Sequence, residues 1–353
     1  MSADTSRMSE AGRSRQSTTL VTGANGEFGH GLIRSLHDAG HRDIVAMDLR
    51  DCDAELRPLC RETLVGDVVD EKLVDRFLAS YEITTIYHLA ALLSTRAEFN
   101  PEAAHQVNVE GTMNLLRLAA QQSASHGRVV RFLFPSSIAV YGLPDLETKA
   151  KAGKVDEADF LEPITMYGCN KLACEHLGRY YMRHYRQIAA DRAPQGGVDF
   201  RSIRFPGVIS AFTVPTGGTS DFAPEMLHAA ADDKPYACFV REDTKIPFIT
   251  MPDAIQALMT LADADRDRLT RCVYNIGGFS PTAGEVADVV RREFPGAEIR
   301  TEVDEPRQAI VDSWPADVDD RSAVSDWGYA PRHDFESAFA EYLVPNIRQH
   351  YAD

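Results

Sequence analysis

The stretch "TTLVTGANGEFGHGLIRSLHDAGHRDIVAMDLR" (residues 18–50) decides the fold. It opens on a short apolar run, passes through a glycine-rich turn, and continues with Phe28, Leu32, Ile33 and Leu36 at helical spacing. Gly40 suits the C-terminal end of that helix, and "DIVAMD" reads as a second, buried-type strand. Gly23, Gly26 and Gly29 form G-x-x-G-x-x-G between the first strand and the helix. Three demands converge on glycine there: a tight turn, close approach of the backbone to a pyrophosphate, and a helix packed against a sheet. The helix N-terminus adds free N–H groups and partial positive charge. The pattern is weak alone, and its place between strand and helix gives it force. The turn residues Asn25, Glu27 and Phe28 join the glycines as expected dinucleotide contacts.

Asp48 ends the second strand, 19 residues beyond Gly29. A carboxylate there accepts both hydroxyls of an adenosine ribose and repels a 2′-phosphate, which favours NAD over NADP. Leu49 and Arg50 follow it in the same expected site, and Arg50 is the one feature that speaks for the phosphate. Further on, Asp67 and Val68 in "VGDVVD" follow a third strand. Asp67 suits a hydrogen bond to an adenine amino group or a cap on the next helix. "HLAA" (88–91) ends a fourth strand, and Leu89, Ala90 and Ala91 leave room for a flat cofactor. Strands and helices keep alternating through "RVVRFLFPSS", "TMYGCNKLACEHLGRYYMRHYR" and "DFRSIRFP", which predicts a doubly wound parallel α/β sheet, the Rossmann arrangement.

Tyr167 and Lys171 form Tyr-x-x-x-Lys on the helix after the fifth strand. Spacing i, i+4 puts both on one face. An ammonium nearby favours phenolate and is expected to lower the tyrosine pKa from about 10, so that Tyr167 could take a proton from an alcohol. Ser136 and Ser137 end the preceding strand, at the edge of the sheet where ligands bind.

The chain has 353 residues and a net charge of −16, from 37 Lys+Arg against 53 Asp+Glu. An acidic surface repels phosphate backbones, so nucleic acid is not an expected partner. The six cysteines (Cys52, Cys60, Cys169, Cys174, Cys238 and Cys272) include no C-x-x-C and no histidine at zinc-ligand spacing, so no metal is expected and they read as reduced packing thiols. No apolar run approaches the ~20 residues of a membrane span. The polar residues 1–17 lack a signal-peptide core and read as a disordered tail in a cytoplasmic protein.

With those residues in hand, the chain from residue 18 resembles the extended short-chain dehydrogenase/reductase family. Within it the sequence looks like the NAD-dependent L-threonine 3-dehydrogenases related to sugar-nucleotide epimerases. "HLAALLS" (88–94), "PSSIAVYG" (135–142) and "TMYGCNK" (165–171) carry the broad resemblance. "RFPGVIS" (204–210), "PTGGTSDFA" (215–223), "MPDAI" (251–255), "YNIGGFSPT" (274–282) and "RQAIVDSWP" (307–315) extend it. "GGTSDFA" and "RQAIVDSWP" point to the threonine enzymes in particular.

The resemblance implies that Tyr167 is the general base, that Lys171 supports it and holds the nicotinamide ribose, and that Ser137 is the catalytic hydroxyl with Ser136 beside it. It implies substrate contacts from Ser94, Ser136, Ser137, Tyr167 and Thr219. Trp314 either closes the pocket or is buried between domains. The backbone after Pro206 is expected at the nicotinamide carboxamide, and Asn108 is expected to distort its helix. Where the family loop tends to carry three glycines, Thr216 takes the first place.

The resemblance also implies a homodimer through helices 101–122 and 164–186. The expected division is a tail at 1–17, an NAD-binding Rossmann domain at 18–206 plus 240–276, and a smaller mixed α/β substrate domain at 207–239 plus 277–353. The activity implied is oxidation of L-threonine, its small-molecule partner, to L-2-amino-3-oxobutyrate. The rivals are a nucleotide-sugar epimerase on the same scaffold, such as a UDP-sugar 4-epimerase, and a non-catalytic NAD-sensing regulator.

Overall fold

The computed structural model describes residues 17–189, 197–215 and 217–352. Nearly all of the expected tail, residues 190–196, and Thr216 lie outside them.

Seven strands form the central sheet: β1 (Ser17–Thr22), β2 (Ile44–Asp48), β3 (Glu62–Val65), β4 (Glu82–His88), β5 (Val130–Ser137), β6 (Val198–Phe205) and β7 (Val273–Asn275). Their order is β7-β6-β5-β4-β1-β2-β3, and every pairing is parallel. The order reverses between β1 and β4, the switch point at which doubly wound sheets bind ligands. Registers pair Thr22 with His88, Asp48 with Val65 and Ser137 with Phe205, so these residues share the carboxyl edge.

Apolar faces sort the helices into layers. Glu27–Asp38 turns Leu32, Ile33 and Leu36 onto one face of the sheet, beside Leu258 and Leu261 of helix Met251–Asp263. Helices Glu71–Ser80, Gly111–His126 and Met166–Arg183 cover the other face through Phe77, Leu115, Leu118 and Cys174. Gly40, at φ +95°, ends the first helix in the left-handed conformation that glycine tolerates.

A third core cluster joins residues 138–143 to later parts of the chain around Phe222, Phe248 and Phe339. Phe222 and Phe248 meet edge to face at 5.4 Å. The segment 323–329 belongs elsewhere: Trp327 packs edge-on against Tyr274 of β7 at 6.0 Å, in the cluster under the first helix.

The long helix expected at 101–122 runs on to His126, and a π-helical turn at Gln106–Glu110 interrupts it at Asn108, the residue expected to distort it. Buried Asn108 lies in that turn, where it accepts from Leu92 N (2.8 Å) and donates to Leu92 O (3.0 Å). Helix Ala283–Glu293 starts after Thr282, which forms a capping box with Glu285, while Ser280, two residues earlier, donates to Asp317. Among the described residues no helix is long and apolar enough to cross a membrane.

Candidate active site

The glycine turn leaves β1 at the switch point. Gly23 has φ +71°, and a Cβ on it would stand 2.7 Å from Ala90 N; one on Gly29 would stand 2.5 Å from the carbonyl oxygens of Gly23 and Ala24. The chain therefore presses against the end of β4, and a side chain at either glycine would fill the cradle. Gly26 is an extended N-cap with no side-chain cap, so no side chain competes for the first-turn N–H groups.

Asp48 accepts from Asn25 N at 2.9 Å, and the Asn25 side chain reaches on to Asp51 O and Asp53 N, each at 3.0 Å. These bonds tie the glycine turn to the end of β2 and fix the carboxylate beside it. Leu49 and Arg50 are exposed next to it. Phe28 meets Phe205 edge-on at 5.1 Å, which brings the end of β6 and buried Pro206 to the same edge.

Asp67 accepts from Val69 N within its own loop, while Asp70 caps the following helix. Val68 is buried against Gly111. Leu89, Ala90 and Ala91 are half-buried along the strip beyond β4. The narrow glycine cradle, the uncapped helix start and the carboxylate beyond β2 fit a dinucleotide.

On the other side of the switch point, helix Met166–Arg183 opens at Thr165, whose side chain accepts from Gly168 N at 3.1 Å. Gly168 lets the first turn approach Ala139, since a Cβ there would lie 2.0 Å from Ala139 O. This packing sets Tyr167 against the turn that Ser137 begins. Ser137 is half-buried, and its oxygen accepts from Ala139 N at 3.1 Å, which leaves its proton to donate elsewhere.

Ser136, buried, donates to Glu175 Oε1 at 2.6 Å. Lys171 is buried; its Nζ donates to Pro135 O at 2.6 Å and lies 5.5 Å from the Tyr167 ring centroid. Burial pushes the Tyr167 phenol up from its ordinary value and the Lys171 ammonium down to about 8. The lowered tyrosine value expected from the sequence is thus not met in the protein alone. Loss of hydration penalises both charged forms, and the lysine directs its bond at a backbone carbonyl.

Substrate-side candidates gather around the 207–223 segment. Ser94 starts helix Ser94–Phe99, and its neighbour Thr95 donates to Gly217 O at 2.8 Å. Thr219 is buried beside Gly218, whose carbonyl accepts from Arg307 Nη2 at 2.8 Å. "GGTSDFA" and "RQAIVDSWP", far apart in sequence, are therefore in direct contact. Trp314 is buried within the third core cluster.

Sequence reasoning missed Thr95, Arg307 and a fully buried ion pair. Arg204 grips Glu175 through Nε (2.9 Å) and Nη2 (2.7 Å), and both side chains have no exposure. Arg204 also donates to Tyr141 Oη (2.9 Å) and Glu157 O (2.8 Å), and Tyr141 donates to Asn275 Oδ1 at 2.7 Å. The available signal was Glu175 itself, a charge eight residues after Tyr167 on the helix face that carries Lys171 inward.

The family described as NAD dependent epimerase/dehydratase matches residues 19–277. The mitochondrial L-threonine 3-dehydrogenase of Bos taurus is 32% identical over 322 residues, 91% of this chain and 80% of that protein. The solved L-threonine dehydrogenase of Clostridium difficile superposes with a TM-score of 0.81 at 32% identity, over 96% of this chain and 100% of that one. A solved structure of MoeE5 with UDP-glucuronic acid and NAD superposes with a TM-score of 0.74 at 25% identity, over 94% and 99%.

Proposed function

The chain belongs to the NAD dependent epimerase/dehydratase family and is an NAD-dependent oxidoreductase, and we propose that the alcohol it oxidises is the 3-hydroxyl of L-threonine, giving L-2-amino-3-oxobutyrate. The observation that carries this reading is the hydrogen bond from Arg307 to Gly218 O. It joins the two segments whose residues resemble the threonine enzymes and places buried Thr219 beside the joint. The L-threonine 3-dehydrogenase relatives support it.

In this reading Gly23–Gly29 and Asp48 hold the dinucleotide, with Asp67 and Leu89–Ala91 along its length and Pro206 at its far end. NAD, when bound, supplies the acceptor for the hydride that leaves the threonine C3. Ser137, with its oxygen already engaged by Ala139 N, donates its proton to the reacting oxygen. Tyr167 takes the hydroxyl proton. Lys171 holds its ammonium near the phenol and toward the cofactor's ribose. Ser136, expected beside the substrate, gives its proton to buried Glu175. Ser94 and Thr219 contact the amino acid.

The nucleotide-sugar reading rests on the MoeE5 likeness and requires a diphosphate site in the C-terminal part of the chain. Initial rates of NADH formation with L-threonine, L-serine, UDP-glucose and UDP-galactose separate the readings. L-threonine is expected to be the preferred substrate. Faster turnover of a nucleotide sugar overturns the proposal, and no turnover with any of them favours an NAD-sensing regulator.

The same reading includes a cytoplasmic homodimer built on helices 101–122 and 164–186, whose exposed Met113 and Tyr180 are large apolar groups that a second copy would cover. Sedimentation at micromolar concentration is expected to give twice the 39.1 kDa chain mass. A monomer contradicts that part.

A further inference from the structure

A cavity of about 300 Å³ lies away from the dinucleotide cradle, between the C-terminal end of helix Met166–Arg183, the 157–161 loop and the residues that lead into β7. Arg179 and Arg183 stand 12 and 16 residues beyond Tyr167, roughly 18 and 24 Å along the helix axis at 1.5 Å per residue. The cavity therefore sits at the opposite end of that helix from the candidate base.

Its lining is highly charged in a small space: Arg179, Arg183, Arg271 and Glu157. Arg271 already serves two acids, Asp156 Oδ2 at 3.3 Å and Glu157 Oε2 at 3.4 Å. Arg179 and Arg183 make no ion pair or hydrogen bond among the described residues, in a chain of net charge −16. Glu157 is 4% exposed, and its Oε1 accepts from Asn275 N at 3.1 Å, but buried Oε2 makes no hydrogen bond. The Arg271 guanidinium at 3.4 Å offsets its charge without completing a hydrogen bond, and a buried carboxylate oxygen left without one is costly.

The pairing is specific. Two uncommitted guanidiniums call for an anion, best a planar carboxylate that they can bind in a fork. A donor-seeking carboxylate oxygen nearby calls for an ammonium or hydroxyl. The smallest molecule that carries both groups a few ångströms apart is an α-amino acid, and the cavity has room for one. We propose that this cavity is a second small-ligand site that binds an α-amino acid, its carboxylate on Arg179 and Arg183 and its ammonium on Glu157. No covalent step is involved.

Glycine is the probe because it has no 3-hydroxyl to oxidise. It is titrated calorimetrically into the full chain saturated with NADH, beside acetate and sulfate. Saturable glycine binding is expected, at least tenfold weaker in the Arg179→Ala/Arg183→Ala double variant, with NAD affinity unchanged as the control for folding. Glu157→Gln keeps the oxygen that accepts from Asn275 N and is expected to weaken glycine without weakening acetate. Absence of saturable glycine binding overturns the proposal. So does glycine binding that the double variant leaves intact, since the glycine then sits elsewhere. Acetate or sulfate binding as tightly as glycine overturns the amino-acid assignment.

Discussion

The proposed chemistry turns on a single side chain, Tyr167. Its neighbourhood is a buried helix start, a lysine aimed at Pro135 O, and a serine whose oxygen is already engaged. Tyr167→Phe removes the base and little else. The expected loss is on the order of 10²- to 10⁴-fold in kcat, the usual contribution of a general base, with NAD affinity unchanged in a fluorescence titration. A variant that keeps most of its rate places the base elsewhere.

The pH profile follows from the direction of the shift. A base must be deprotonated to act, and burial raises Tyr167. log(kcat/KM) is therefore expected to climb as pH rises through and beyond neutrality. A profile flat from pH 6 upward, or a rising limb that survives Tyr167→Phe, contradicts the assignment. Tyr167, Lys171 and the glycines were legible because their meaning lies in spacings of three or four residues. The Glu175–Arg204 pair was not, because its partners are 29 positions apart and meet only when β6 lies beside the helix.

At the element scale, β1, the turn and the first helix were readable from pattern because each local preference agrees with the next. Pattern alone does not decide where two side chains suit one role. Ser280 and Thr282 both suit an N-cap; Thr282 took it because Glu285 stands three residues on and returns the bond, whereas Asp317 engages Ser280. Thr282→Ala is expected to lower stability by about 1 kcal/mol, read by denaturant unfolding, without changing turnover. No measurable loss would show that the box is not supporting the helix. The short helix Leu146–Ala152 and its neighbouring two-residue strand Lys154–Val155, paired with Asp317–Val318, were not read from sequence. Two-residue strands carry no period, and their partner lies in a distant segment.

At the scale of the whole molecule, the α/β alternation yields the sheet and its carboxyl edge. Where substrate would sit depends on contacts that cross the chain. Arg307 reaches 89 positions back to Gly218 O, and Thr95 reaches 122 forward to Gly217 O. Together they hold the glycine loop from both sides. Arg307→Met removes a charge-assisted bond to a backbone carbonyl, and such bonds contribute about 1.5–3 kcal/mol. KM for L-threonine is expected to rise roughly tenfold or more, with NAD affinity intact. An unchanged KM would mean that the loop is positioned without it.

The central claim is that this scaffold oxidises an amino-acid alcohol and releases the electrons on NAD, instead of returning them to a sugar. L-threonine labelled with deuterium at C3, incubated with the protein and NAD, tests it by mass spectrometry of the dinucleotide. One deuterium per reduced dinucleotide formed, with equimolar 2-amino-3-oxobutyrate or its decarboxylation product, is the predicted result. Reduced dinucleotide without the label, or no reduction by L-threonine while UDP-sugars are interconverted, contradicts it.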